Sequence, residues 1–178
     1  MSKTKKAAPL EDWEGFYEEI QNESPRAAVI ISAAFMEGWL RQLIANFMVD
    51  DSKAVDELLG AEDNVDRPLS SFSSRIRAAY CLGLISRDEY DDLHMVKKLR
   101  NRFAHGMHGL SVDDNAIVSW CNELKIPKKI FAGKVHHWDT FLIAVSMLTS
   151  QLAIRAKGIG EKRLTVAQGF ELTQVVRG

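Results

Sequence analysis

Ser24-Pro-Arg-Ala-Ala-Val-Ile-Ile-Ser-Ala-Ala-Phe-Met-Glu-Gly-Trp-Leu-Arg-Gln-Leu-Ile-Ala-Asn-Phe-Met48 is apolar on most of its sides. Serine followed by proline reads as an N-cap and a first helical residue. The serine hydroxyl can accept an orphan amide of the first turn, and proline has no amide to satisfy there. Val29, Ile30, Ile31, Phe35, Met36, Trp39, Leu40, Leu43, Ile44 and Phe47 then recur around most of the helix circumference. A helix so rich in apolar residues is central to its fold, contacting several neighbours or a second copy of the chain.

Helical periodicity extends in both directions. Leu10, Trp13, Phe16, Tyr17 and Ile20 give an amphipathic first helix with an acidic outer face. A short helix over Ser52–Leu59 stops at Gly60, and the acidic residues 61–66 with Pro68 form a loop. The next helix covers about Ser70–Leu82, with Phe72, Ile76, Ala79 and Tyr80 inward and Gly83 as its C-terminal cap. Ser86-Arg-Asp-Glu89 is a capping box that starts a helix running to His105 or Gly106. Ser111 and Asp114 are cap candidates for a helix through Leu124, with Ile117, Trp120, Cys121 and Leu124 inward. Pro127 and Gly133 interrupt the pattern. Trp138, Phe141, Leu142, Val145, Leu148 and Leu152 then mark a long last helix ended by Gly158. Leu164 and Val166 alternate with polar residues, as in a short strand or an extended arm. The spacing predicts an all-α, single-domain bundle of six or seven helices. Its expected limits are a flexible N-terminus over 1–8, the helical domain over 9–158 and a C-terminal tail over 159–178.

Composition agrees with a packed domain. The 178 residues are 46% hydrophobic and 26% charged, which argues against disorder. Cys81 and Cys121 are too few for a disulfide scaffold or a four-thiolate zinc site, and both fall among apolar helical positions, as buried free thiols do. Lysines open the chain, but acidic residues stand where a signal peptide has its apolar region. The longest uncharged apolar stretch, Phe141–Ile154, is shorter than the ~20 residues of a membrane span. A cytoplasmic protein without a membrane segment is the expectation.

The net charge of −1 conceals an asymmetry: residues 7–66 carry a net −11 and residues 67–178 a net +7. Such polarity can steer a polyanion to the basic part, although pairing of the two halves on folding is the commoner outcome.

The densest chemistry lies in Lys97-Lys-Leu-Arg-Asn-Arg-Phe-Ala-His105, with four cations within six residues at a helix end. Cations there complement the helix dipole. Leu93, Val96, Leu99 and Phe103 form the core side, and Arg100 falls between Val96 and Phe103. A cation on that side needs either a buried partner, a carboxylate or helix-end carbonyls, or an anion that it binds together with His105. Arg100 and His105 stand about 140° apart around an ideal helix, so their convergence needs a frayed last turn or a second subunit. Lys125, Lys128, Lys129 and Lys134 form a second basic cluster; with Lys97, Lys98 and Arg102, the first three make a candidate polyanion surface. His136-His137 reads as a helix-start pair, because neighbouring residues on a helix do not face each other. His105 and His108 lack a third ligand nearby, and no metal or cofactor is expected.

Two resemblances follow from these segments. The run Glu23–Leu40 and the block Phe72–His94, continuing into Lys97–His105, are similar in order and spacing to the mannitol operon repressor family over roughly residues 10–155. That resemblance implies an all-helical fold and a non-enzymatic regulator of mannitol uptake and metabolism genes. Arg100-Asn101-x-x-x-His105 also resembles the motif of HEPN domains, many of which are metal-independent ribonucleases with sites composed across a dimer. It implies that Arg100 binds the scissile phosphate, His105 transfers a proton and Asn101 assists. A recognisable DNA-reading helix is lacking, and the chain is net acidic. The reading is therefore a transcriptional regulator acting through a protein partner or weak DNA contact, in a homodimer. A HEPN-type ribonuclease is the alternative, and a non-enzymatic adaptor that binds another protein the third reading.

Overall fold

The computed structural model describes residues 13–60, 67–106, 110–131, 133 and 135–168. The expectations for residues 1–8, Leu10, the acidic loop 61–66, His108, Lys134 and the tail from residue 169 lie outside these. Among the described residues there are eight α-helices, one 3-10 turn and no strand. The helices are α1 (Trp13–Asn22), α2 (Pro25–Phe47), α3 (Ser52–Leu59), α4 (Phe72–Cys81), α5 (Arg87–His105), α6 (Asn115–Glu123), α7 (Ile126–Ile130) and α8 (His137–Gly158). The fold is all-α, as expected.

Helix α2 is the axis of the bundle, with α8, α5, α4, α1 and α3 packed around it, while α6 and α7 cover α8. Met36, Leu40, Leu43 and Ile44 of α2 meet Leu93, Val96, Leu99 and Phe103 of α5 and Phe141, Val145, Leu148 and Leu152 of α8 in one buried cluster. Among the described residues α2 alone is long and apolar enough to cross a membrane by length and composition. Half of that apolar stretch is buried, against five helices of its own chain, while Ile30 stays exposed. Asn46 ties α2 to α8, its Nδ2 donating to the Ala156 carbonyl at 2.8 Å.

The helix boundaries follow from local chemistry. Ser24 Oγ accepts the Ala27 amide at the start of α2, with Pro25 in the first helical turn. Helix α4 ends in a Schellman motif: Leu84 N donates to Ala79 O at 2.8 Å and Gly83 N to Tyr80 O at 3.0 Å. That motif needs a left-handed residue, and Gly83 supplies it at φ +71°. At the start of α5 the capping box is formed, Ser86 N donating to Glu89 Oε2 at 2.6 Å and Glu89 N to Ser86 Oγ at 3.3 Å.

Four details differ from the sequence reading. Pro127 does not break the chain into a loop but lies in the first turn of the five-residue α7, where its missing amide costs nothing. Tyr80 is exposed rather than inward; it packs against Tyr90, with the Arg87 guanidinium over both rings. Cys81 is exposed because α4 ends on it and nothing follows to cover it, while Cys121 is buried and its thiol is pushed up to about 12. Trp120 is half-buried, its ring lying under the Lys98 ammonium at 4.2 Å. Beyond α8, residues 163–168 run as an extended arm, not a strand. The Leu164 amide donates to Phe47 O at 2.8 Å and Arg163 Nε to Met48 O at 2.9 Å, so the arm closes the C-terminal end of α2.

Candidate functional site

The end of α5 carries the residues singled out by sequence. Arg100 is half-buried on the stripe that holds Val96 and Phe103, and its Nη1 donates to Asn101 Oδ1 at 3.1 Å. Its charge reaches Glu37 on α2. Burial pushes the Glu37 carboxyl above its ordinary range, against the opposing pull of Arg75 and, more weakly, Arg100. His105, the last residue of α5, is exposed. The Arg26 guanidinium of α2 donates to the Ala104 carbonyl beside it at 3.3 Å, so one orphan carbonyl of that helix end already has a cation. Among the described residues no hydrogen bond or ion pair joins Arg100 to His105.

Arg75 of α4 is the most buried cation among the described residues. Its Nη1 pairs with Glu37 Oε1 at 3.2 Å, its Nε donates to Leu69 O at 2.9 Å and its Nη2 to Leu59 O at 3.0 Å. One guanidinium thus joins α2, the end of α3 and the start of α4, using the planar fork for which arginine is suited. Neither Arg75 nor Glu37 belongs to the segments that the sequence marks for chemistry. The signal for Arg75 was present, since Phe72, Arg75, Ile76 and Ala79 form an inward helical stripe. Nothing local marks Glu37 as its partner.

The candidate polyanion residues divide into two groups. Lys125 pairs with Asp91 at 2.6 Å and Asp88 at 3.8 Å, and Lys129 pairs with Asp88. Beneath them the buried Asp92 carboxylate accepts the amides of Lys125 and Ile126 at 2.8 and 2.9 Å, capping the start of α7. These acids hold α7 on α5, so the charges of Lys125 and Lys129 are largely spent in that seam. Lys97, Lys98, Arg102 and Lys128 have no ion pair among the described residues, and of these Lys98, Arg102 and Lys128 are exposed.

His94, half-buried one turn before Lys98, has its imidazole pKa lowered by burial and then by Lys97 and Arg77, so it is neutral at pH 7. The His136-His137 pair departs from expectation. The two residues do start a helix, α8, but their rings lie 4.1 Å apart. Adjacent residues within a helix diverge, but His136 is the N-cap, with its backbone at ψ 139°, and is not itself helical. Asp113, from the turn before α6, completes the group.

Comparison with known proteins places the whole arrangement. Among curated protein sequences nothing matches. Among solved structures, MtlR in the MtlR–HPr complex from Escherichia coli is similar at a TM-score of 0.62 and 20% identity, covering 79% of this chain and 98% of that one. A possible transcriptional regulator, YggD from Shigella flexneri 2a, is similar at a TM-score of 0.65 and 11% identity, covering 84% and 99%. At such identities these two likenesses speak for the fold alone. The sequence itself matches the family model of the mannitol repressor over residues 14–158, close to the span read from α2, α4 and α5. With that match running from α1 to the end of α8, the chain belongs to the mannitol repressor family, MtlR.

Proposed function

We propose that this chain is a cytoplasmic repressor-type regulator that works through a bound protein, and that HPr is that partner. The carrying observation is the structural match to MtlR, which was solved together with HPr and which covers 79% of this chain. Two features of the chain support a protein partner over an operator. Much of the basic charge near α7 is neutralised by Asp88 and Asp91, which leaves a thin phosphate-binding surface. Ile130 and Phe131, adjacent and about half exposed, offer apolar contact area at the C-terminal end of α7. The test is calorimetric titration of the purified chain with HPr, beside a mobility-shift assay on the promoter duplex of a mannitol operon. Saturable binding of HPr, weakened in Phe131→Ser, supports the reading. Tight, sequence-selective duplex binding with no response to HPr overturns it.

A second reading rests on the Arg100–Asn101 contact with an exposed His105 one turn on. There the chain is a metal-independent ribonuclease, in which Arg100 holds the scissile phosphate and His105 moves the proton. The two side chains are not joined within one chain, so this reading requires a homodimer. Cleavage of labelled RNA in the presence of chelator, abolished by His105→Ala, together with a dimeric mass by light scattering, would carry it. Intact RNA at all protein concentrations dismisses it.

A further inference from the structure

We propose that Asp113, His136 and His137 form a binding site for one divalent transition-metal ion of the Zn2+ class, clipping the turn before α6 to the start of α8. Each residue offers one ligand atom, and the three atoms lie within 4.8 Å of one another. His137 Nε2 and Asp113 Oδ1 are 3.3 Å apart. Two ligand atoms bound at ~2.0–2.1 Å to a tetrahedral ion are themselves separated by about 3.3 Å, so this pair already has the spacing of a coordination edge.

The state of His137 points the same way. Its Nε2 is shut off from solvent, and although it faces Asp113 it makes no hydrogen bond. A buried ring nitrogen in that condition is unusual without a further partner. Asp113, by contrast, is 72% exposed, and His136 is exposed as well, so an ion can enter and the third ligand can close by rotation of one ring. The closing ring gives up only a weak contact, the Trp138 amide to His136 Nδ1 at 3.4 Å. On the other side the loop is held in place, since the Asp113 amide donates to Ser111 Oγ at 3.1 Å.

The donor set selects the ion. Two imidazoles and one carboxylate suit Zn2+, Ni2+ or Cu2+, whereas Ca2+ and Mg2+ require mainly oxygen ligands. Three protein ligands leave a fourth position for water. His136 and His137 also line an open groove of about 430 Å³ with Lys128, Phe131 and Thr140.

The experiment uses the full chain without a histidine tag, stripped with chelator and titrated with Zn2+ by calorimetry and with Co2+ by visible absorption. The expected result is one Zn2+ per chain, a four-coordinate Co2+ spectrum, and a melting temperature raised by several degrees in excess Zn2+, because an ion that binds only the folded state stabilises it. Asp113→Asn and His136→Ala alter exposed side chains, so both should fold normally by circular dichroism while binding Zn2+ at least tenfold more weakly. Absence of saturable binding overturns the proposal and leaves a plain His137–Asp113 contact. Binding of unchanged affinity in both variants also overturns it, by placing the ion elsewhere, for example at the exposed Cys81 thiol.

Discussion

Arg75 and Arg100 stand at matching places in their helices, each a cation on an apolar stripe, yet they carry different loads. Arg75 holds Glu37 and two backbone carbonyls in a site almost closed to solvent. Arg75→Ala leaves a half-buried carboxylate and two acceptors without their donor and should cost about 3 kcal/mol in urea denaturation. Arg100→Ala loses a half-exposed bond to Asn101 and should cost about 1 kcal/mol. Equal costs would show that Arg100 is the true partner of Glu37. Trp39 makes a simpler case. It is 3% exposed and meets Phe35 edge-on, and Phe35 in turn stacks on Phe16 at 4.0 Å. Trp39→Ala should cost about 3–5 kcal/mol through the cavity it leaves, and an unchanged melting temperature would contradict its burial. Residues of this kind were legible from apolar periodicity alone. The pairing of Arg75 with Glu37 was not, because it joins positions distant in sequence and no local rule names the second member.

The helix ends were the best predicted feature, since capping chemistry is complete within a few residues. Ser24, Gly83 and the Ser86/Glu89 box all act as their sequence context requires. Glu89 does more than close the box. Burial would raise its pKa, but the hydrogen bonds from Arg155 and from Ser86 outweigh that and hold it below the ordinary 4.5. A carboxyl with a depressed folded pKa contributes stability that is present above its unfolded value and lost as pH falls through its folded one. Glu89→Gln should therefore cost about 2 kcal/mol near neutral pH. The gap between mutant and wild type should close as the pH falls from the ordinary 4.5 through the lower folded value, where wild-type Glu89 also takes up a proton. A gap independent of pH would mean that its charge does not matter. Gly83→Ala tests the other end: a Cβ there meets nothing within 4 Å, so its cost of about 1 kcal/mol is purely the left-handed backbone. The one helix hidden from the sequence was α7. Five residues are too short for periodicity to register, and its start is capped from a distance by Asp92 of α5.

At the scale of the molecule, the division into an acidic and a basic half survives folding in part. Arg75–Glu37 and Arg163–Asp50 pair across it, while Arg41–Asp56 and the α5–α7 seam neutralise charge within their own halves. Apart from Arg75–Glu37 these ion pairs are exposed and contribute little each, so moderate salt should shift the melting temperature only slightly. The connectivity of the bundle has a larger consequence. Its axis, α2, is made early in the chain, yet its main companion is α8 and its C-terminal end is closed by Arg163 and Leu164. During synthesis α2 therefore leaves the ribosome long before most of the surface that will cover it exists. A nascent chain stalled before residue 137 leaves the α8-facing side of α2 uncovered, which makes it a natural client for a holdase chaperone and vulnerable to aggregation. Arrested chains ending before α8 should be cut rapidly by protease, and resistance should appear only once residues up to about 164 have cleared the exit tunnel. Early protection of the short chains would show instead that α1–α5 close around α2 by themselves.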